Sequence, residues 1–348
     1  YGLNRGSTAQ LTLSMKDSKL TELSSSPLYT WMRVYRWDDP ADPLTERLVW
    51  KGLLFEPAYT LSESLGTITM LYKDVGGILG HRTVDRDYSV TTPTDASAIL
   101  WDLIDITQNK MSGAVNVGDL GIVQGAAPAS KNREPEKDLR NRPILDVLVS
   151  FSEYIDGIDW EITPTPINNS EGIFNTYFTA IGAQYHKGNI VTTPLTYFVN
   201  ADNEQLFNNI KSLQVTESGT DYANSILALG AQIEEEQYFS ESSDATQQEA
   251  VGLFQDTITE TNITEQTTLD DRADEEVASR TNLPINIKLR MMPLQAPRFG
   301  VYDVGDIFTV RVKVYDFRDF TRQYRLYGIT VNVDENGVEE IDLDLGNI

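Results

Sequence analysis

The chain has 348 residues, more than one hydrophobic core usually holds, so two or more domains are expected. Its 52 acidic residues outnumber 28 basic ones for a net charge of −24, a balance that repels phosphate backbones and argues against a nucleic-acid binder. Cysteine is absent, which excludes disulfides, thiolate metal sites and thiol nucleophiles together.

From the N-terminus, residues 1–90 read as strands. Leu11, Leu13 and Met15 alternate with Thr12 and Ser14. Trp31–Trp37 is rich in the aromatic and β-branched residues that pleated surfaces favour. Leu48–Phe55 is a further strand with Gly52 as its expected bulge, and Ile68, Met70 and Tyr72 alternate with Thr67 and Thr69. Asp38-Asp39-Pro40 and Ser62-Glu63-Ser64 are turn-forming separators. The pattern predicts a small antiparallel barrel or sandwich.

At Thr92 the pattern changes. Thr92-Pro93 is a favourable helix opening, and Ala96, Ile99, Leu100, Leu103 and Ile104 form one apolar stripe. Gly113–Ala129 lacks periodicity and reads as loop. Pro143 opens a second helix with Ile144, Val147, Leu148, Phe151 and Ile155 on one face, stopped by Gly157. Strands follow at Ile158–Ile162 and Tyr177–Ile181, so this middle region reads as an α+β unit.

Strand character returns with Ile210, Leu213 and Val215, then Ser225–Gly230. Residues 233–282 hold fourteen Asp or Glu against two Arg, too much charge to bury, and Leu269, Ala273 and Val277 give their last part a helical stripe. Four alternating strands close the chain. Their faces are Ile285/Ile287/Leu289/Met291, Phe308/Val310/Val312/Val314, Tyr327/Ile329/Val331/Val333 and Ile341/Leu343/Leu345. Asp334-Glu335-Asn336-Gly337 joins the last two, because Asn and Gly tolerate the positive φ of a tight turn.

Catalytic chemistry is poorly represented. His81 and His186 lie outside any metal-protease or nucleophile-elbow context and read as surface or structural histidines. Gly76-Gly77-Ile78-Leu79-Gly80 lacks the Lys and spacing of a phosphate loop. Glu234-Glu235-Glu236 and Asp270-Asp271 read as solvated faces rather than a glycosidase pair. Asp334–Gly337 lacks the chelating Glu of a calcium loop. The tryptophans Trp31, Trp37, Trp50, Trp101 and Trp160 fall in strand or helix patterns and read as core. No catalytic, cofactor-binding or metal-binding residue is assigned, no cofactor is expected, and the protein is read as no enzyme.

The order of several short motifs is nevertheless distinctive. Gly66–Leu71 is followed by a Gly-containing segment and Arg82, and Asp95-Ala96 opens a helix carrying Ile99-Leu100. Asp159-Trp160-Glu161-Ile162 follows a helix, and Tyr222–Ile226 leads into Gly230. Gly305-Asp306 opens a strand, and Arg325-Leu326-Tyr327-Gly328-Ile329 precedes the final hairpin. In this order the chain resembles the tail-tip or baseplate hub proteins of tailed bacteriophages, whose fold is shared by contractile-tail hubs and the N-terminal part of siphophage tail-associated proteins.

The resemblance implies a mainly β fold: two antiparallel, tail-tube-like β-barrel domains interrupted by helical insertions. The expected division is 1–91 as first barrel, 92–200 as α+β insertion, 201–232 with 283–348 as second barrel, and 233–282 as acidic insertion. It also implies a homotrimer forming a pseudo-sixfold ring at the virion tail tip, made in the host cytoplasm. Distal tail protein, tail tube, tape-measure protein and tip or fibre proteins are the implied partners. Genomic DNA passes through without specific binding, and the host envelope is met only indirectly. Tyr1 stands where a start methionine would, so the numbering is expected to begin inside a longer polypeptide, and no lysozyme, peptidase or fibre domain is expected after Ile348. Alternative readings are the hub of a phage-derived contractile injection machine, a receptor- or cell-wall-sugar-binding β protein, and a cell-wall hydrolase.

Overall fold

Period-two alternation becomes sheet from the first strand onward. The structure, a computed structural model, describes residues 3–17, 28, 30–37, 46–61, 66–85, 94–125, 132–133, 139–153, 157–165, 172–177, 180–181, 184–185, 187–199, 208–217, 219–233, 236–261, 263, 265–281, 285–292, 295–315 and 318–347. Two units emerge, Tyr1–Pro135 with Leu139–His186, and Glu136–Asp138 with Lys187–Ile348.

In the first unit, strands β1 (Thr8–Ser14), β2 (Trp31–Trp37), β3 (Glu46–Leu61) and β4 (Gly66–Asp74) form an antiparallel sheet in the order β1-β4-β3-β2. Its apolar face carries buried Trp50, Leu54, Ile68, Met70 and Tyr72, with Leu11, Leu13 and Met32 packed against them. The bulge expected at Gly52 lies instead at Phe55, where the β3–β4 register slips between Leu54 and Glu56. Gly52 answers a different need: a Cβ there would lie 2.2 Å from the Trp50 ring and 2.7 Å from the Lys73 carbonyl. Asp74 ends β4 and caps helix α1 (Val75–Leu79), accepting from the Gly77 amide at 2.7 Å.

Next come β5 (Thr94–Asp95) and α2 (Ala96–Gln108), whose stripe of Ile99, Leu100, Leu103 and Ile104 is fully buried. Asp95 caps α2 through the Ser97 amide; Thr92 and Pro93 lie outside the described residues. The span expected as loop, Gly113–Ala129, holds strand β7 (Val115–Asn116), which forms a small hairpin with β6 (Met111–Ser112) just before it, and strand β8 (Ile122–Gln124). Strand β9 (Asn132–Arg133) pairs with β5, and α3 (Ile144–Glu153) follows as expected, with Ile155 outside the described residues. Strands β10 (Asp159–Pro164) and β11 (Gly172–Tyr177) are antiparallel, and β8 lies parallel to β11. Thus the second strand ends near Tyr177 rather than starting there, and Ala180–Ile181 belongs to a two-residue strand, β12, paired with β13 (Gln184–Tyr185). Trp160, 1% exposed, joins this core and donates its indole N–H to the Leu148 carbonyl at 3.0 Å.

The second unit opens on a strand the periodicity did not disclose, β14 (Ile190–Val199), followed by β15 (Ile210–Glu217). Then come β16 (Ser225–Ile233), β17 (Glu236–Ser243), α4 (Ala245–Val251), β18 (Gln255–Thr259) and α5 (Gln266–Thr281). The chain closes with β19 (Ile285–Met291), β20 (Ile307–Val314), β21 (Arg318–Val333) and β22 (Glu339–Gly346). Six strands form one curled sheet in the order β14-β20-β21-β22-β19-β15. The fold is mainly β, as expected, but this sheet is mixed: β14 runs parallel to β20. The span 92–200 therefore includes a strand of the second unit, whose Pro194 sits where the register shifts between Val191 and Leu195, a place where a missing ladder donor is tolerated.

Phe308, Val310 and Val312 are buried and Arg311 is exposed, while Val314 is half-buried at the strand end. Tyr327 departs from the expected shared face. The β21–β22 register slips between Leu326 and Gly328, so Leu326 and Ile329 are buried while Tyr327 faces outward and packs against Gly346. The acidic span also begins earlier than its charge indicated. Strand β16 pairs with β17 and β18, not with the six-stranded sheet, and α5 covers this small sheet through Leu269, Ala273 and Val277.

Candidate assembly surfaces

The sequence candidates for chemistry do not converge. His81 is exposed, stacked on Phe55 at 5.1 Å, with Nε2 3.2 Å from Lys73 Nζ; His186 lies outside the described residues. Asp270 on α5 is held below the usual carboxylate range by hydrogen bonds from Ser240 and Gln266. Asp334 accepts from the Asn336 and Val338 amides at 2.8 Å each, so it builds the hairpin turn, with Gly337 at φ +78°. Glu234 and Glu235 lie outside the described residues. Among the described residues no group of three acidic, His or Cys side chains is placed to hold a metal ion. Trp50 and Trp160 are core as expected, whereas Trp31 is 37% exposed.

Buried polar groups in both units bond to the backbone and to one another. Asp74 accepts from the Ser7 hydroxyl, which in turn accepts from the Trp50 indole at 2.9 Å. Burial pushes the Asp74 carboxyl up, against the hydrogen bonds of Ser7 and Gly77. In the second unit Gly188 (φ +137°) passes so close to Gly305 that a Cβ on it would lie 2.1 Å from the Gly305 carbonyl. Beside this crossing Asp306 accepts from the Asn189 and Asp303 amides, and buried Arg325 donates to the Gly305 and Lys187 carbonyls. The Gly305-Asp306 and Arg325 motifs therefore knot the start of β14 to β20 and β21.

Among the described residues, a sheet edge and a charged face are two of the surfaces left exposed. In the first unit β1 and β2 are the outer strands, and β2 leaves Trp31, Val34 and Tyr35 each 37% exposed. An outer strand presents backbone donors and acceptors that another chain can meet. Lys51 of β3, buried and opposite Arg33 of β2, with its Nζ 5.4 Å from the Trp31 ring centroid, is pushed down by burial and by the neighbouring Arg33 charge.

The outer strands of the second unit are joined to each other. Asn208 accepts from the Phe198 amide at 2.8 Å and donates to its carbonyl at 2.9 Å, as a neighbouring strand would. Fully buried Asn209 accepts from the Thr196 amide and donates to the Pro194 and Ala296 carbonyls. Two side-chain amides thus link β14 to β15 and curl the sheet upon itself. Neither carried a sequence signal, since an Asn before a strand is ordinary and its partners are remote. On the polar face of β15, β19 and β22, Lys211 pairs with Glu340, and Arg290 pairs with Glu340 and, through two bonds, with Asp342. The Asp342 hydrogen bonds hold Arg290 up, and the Lys211 hydrogen bond holds Glu340 down.

No protein-family model matches this sequence, and no curated protein matches it. Solved structures do. The 43 kDa tail protein of prophage MuSo2 from Shewanella oneidensis superposes with a TM-score of 0.58 at 10% identity, covering 98% of this chain and 90% of that one. The tail protein from Neisseria meningitidis MC58 gives 0.55 at 13% identity, over 86% and 81% of the two chains. The prophage tail protein gp18 from Listeria monocytogenes EGD-e gives 0.51 at 9% identity, over 99% and 86%. The chain has the fold of these tail proteins, and the resemblance read from the motif order holds at the level of fold.

Proposed function

We propose that this chain is a structural hub subunit of a bacteriophage tail tip, acting as a conduit and adaptor and not as a catalyst. The observation that supports the reading is the match in fold over 98% of this chain and 90% of a prophage tail protein. In this proposal three copies close a pseudo-sixfold ring, each chain supplying two β wall segments, and the ring continues the tail tube. Distal tail protein, tail tube, tape-measure protein and tip or fibre proteins are its neighbours. The exposed outer strands of the first unit support assembly through sheet edges. The paired charges of Lys211, Arg290, Glu340 and Asp342 support a wall that offers phosphates few free cations.

The mass of the purified protein in solution tests this. The expected species is three times the 39.0 kDa chain, seen as a ring with an open or plugged centre. A monomer under assembly conditions, or a twofold dimer with a closed centre, refutes it.

A further inference from the structure

From Ser212 to Asp271 the chain contains no lysine, arginine or histidine. The two cations that follow are engaged by acids of the same segment. Arg272 meets Glu260, Glu275 and Glu276, and Arg280 meets Glu276 and Asp256. From the end of α4 to the start of β18, on this acidic ground, stands a short apolar tip. Val251 is 54% exposed, Leu253 65% and Phe254 49%. Glu249 and Asp256 flank it in sequence, and both are exposed.

The tip is held by a residue with no exposure of its own. Asn224 donates its side-chain amide to the Gly252 carbonyl at 2.7 Å and accepts from the Phe254 amide at 2.9 Å. The Asn224 and Ser225 amides both donate to the Phe254 carbonyl, and Gln248 donates to the Asn224 carbonyl. Gly252 takes φ +89°, which an L side chain rarely adopts, and Phe254 packs edge-on to Tyr222 at 5.3 Å. Apolar side chains set on a pinned backbone lose little conformational freedom when they dock, which is where affinity is otherwise dissipated.

We propose that Val251-Gly252-Leu253-Phe254 is a preformed docking tip for a protein partner that offers an apolar socket ringed by lysine or arginine. Charge complementarity selects this occupant. The cations of this segment, Arg272 and Arg280, are already paired with its own acids, so the tip's surroundings attract a basic-rimmed socket and repel anionic lipid or nucleic acid, a second copy being one outcome of the test. The proposal does not depend on the ring reading, since the tip belongs to the isolated chain.

Fluorescence anisotropy with the full chain and two labelled synthetic peptides tests it. One peptide alternates leucine with lysine; the other carries serine in place of each leucine, at equal charge. At moderate salt, where long-range attraction is screened, the leucine peptide should bind at least about tenfold more tightly. The double variant Val251→Ser with Leu253→Ser, at solvent-exposed positions, should reduce that preference to within about twofold. Val301→Ser, at another exposed valine, should leave it unchanged. Equal binding of the two peptides, no binding of either, or a preference that survives the double variant overturns the proposal. So does self-association of the wild type, by sedimentation velocity, that the double variant abolishes, because the tip would then serve a second copy.

Discussion

Strand β15 ends and β19 begins side by side, with Glu217 opposite Ile285 in the antiparallel register. Everything between them, residues 218–284, therefore enters and leaves the six-stranded sheet at one point. Replacing it with a four-residue Gly-Asn turn should convert β15 and β19 into an ordinary hairpin. Loop closure changes by about 0.6 kcal/mol per doubling of length, and this shortening is roughly four halvings, so the effect is at most about 2–3 kcal/mol in favour of the sheet. The segment has its own cores, around Ala228, Leu269 and Ala273 and around Ile226 and Val277, so its ends are already held and the true gain is smaller. A shorter replacement, of 233–282 alone, behaves differently. It leaves β16 without β17 and β18 and uncovers Ile226, which is fully buried, at a cost of about 1.5–3 kcal/mol for that side chain alone. The orphaned strand, with Ile226, Leu227 and Leu229, is also a template for aggregation. Far-UV circular dichroism, thermal melting and size exclusion of the two variants decide the matter. The longer replacement should stay soluble and melt within about 10 °C of the parent, the shorter one should aggregate. Loss of the sheet signal in the longer variant, or equal solubility of the two, refutes the argument.

Val312, 3% exposed, tests the register of the last sheet: Val312→Asp buries an unpaired charge, costs about 3–5 kcal/mol and should lower the melting midpoint by at least about 6 °C. A shift of a degree or two would mean that the strand face is misassigned. Asp74 predicts a pH effect. Burial raises its carboxyl in the folded state, so between the unfolded value near 4 and that raised value the native protein holds more protons than the unfolded chain. Its contribution to stability is therefore fullest below pH ~4 and is lost as pH rises through the folded value. Asp74→Asn, which keeps an acceptor for the Gly77 amide, should gain stability relative to the parent as pH rises from about 3.5 to 8, measured by paired melts. A difference that stays constant across that range would refute the assignment.

The sequence by itself determined which residues face inward along most elements. Ile99, Leu100, Leu103 and Ile104 on α2, Leu269, Ala273 and Val277 on α5, and Phe308, Val310 and Val312 on β20 are all buried as their spacing requires. Helical and strand periods are local properties, written in neighbouring residues, and the net charge is written in composition. The resemblance also lay in local motifs, one of which, Gly305-Asp306, supplies a residue with no side chain where the chain passes Gly188. Pairing was decided only by the tertiary structure. Backbone donors and acceptors are chemically alike in every strand, so nothing local says that β14 lies parallel to β20, or that β16 belongs with β17 and β18. A one-residue slip at Tyr327 turned that side chain outward, since a bulge reverses the alternation beyond it. Asn208 and Asn209 join two outer strands through bonds to distant backbone, and Asn224 holds an apolar tip above an acidic surface in the same way. An amide side chain states what it can bond to, and only the folded chain supplies the partner.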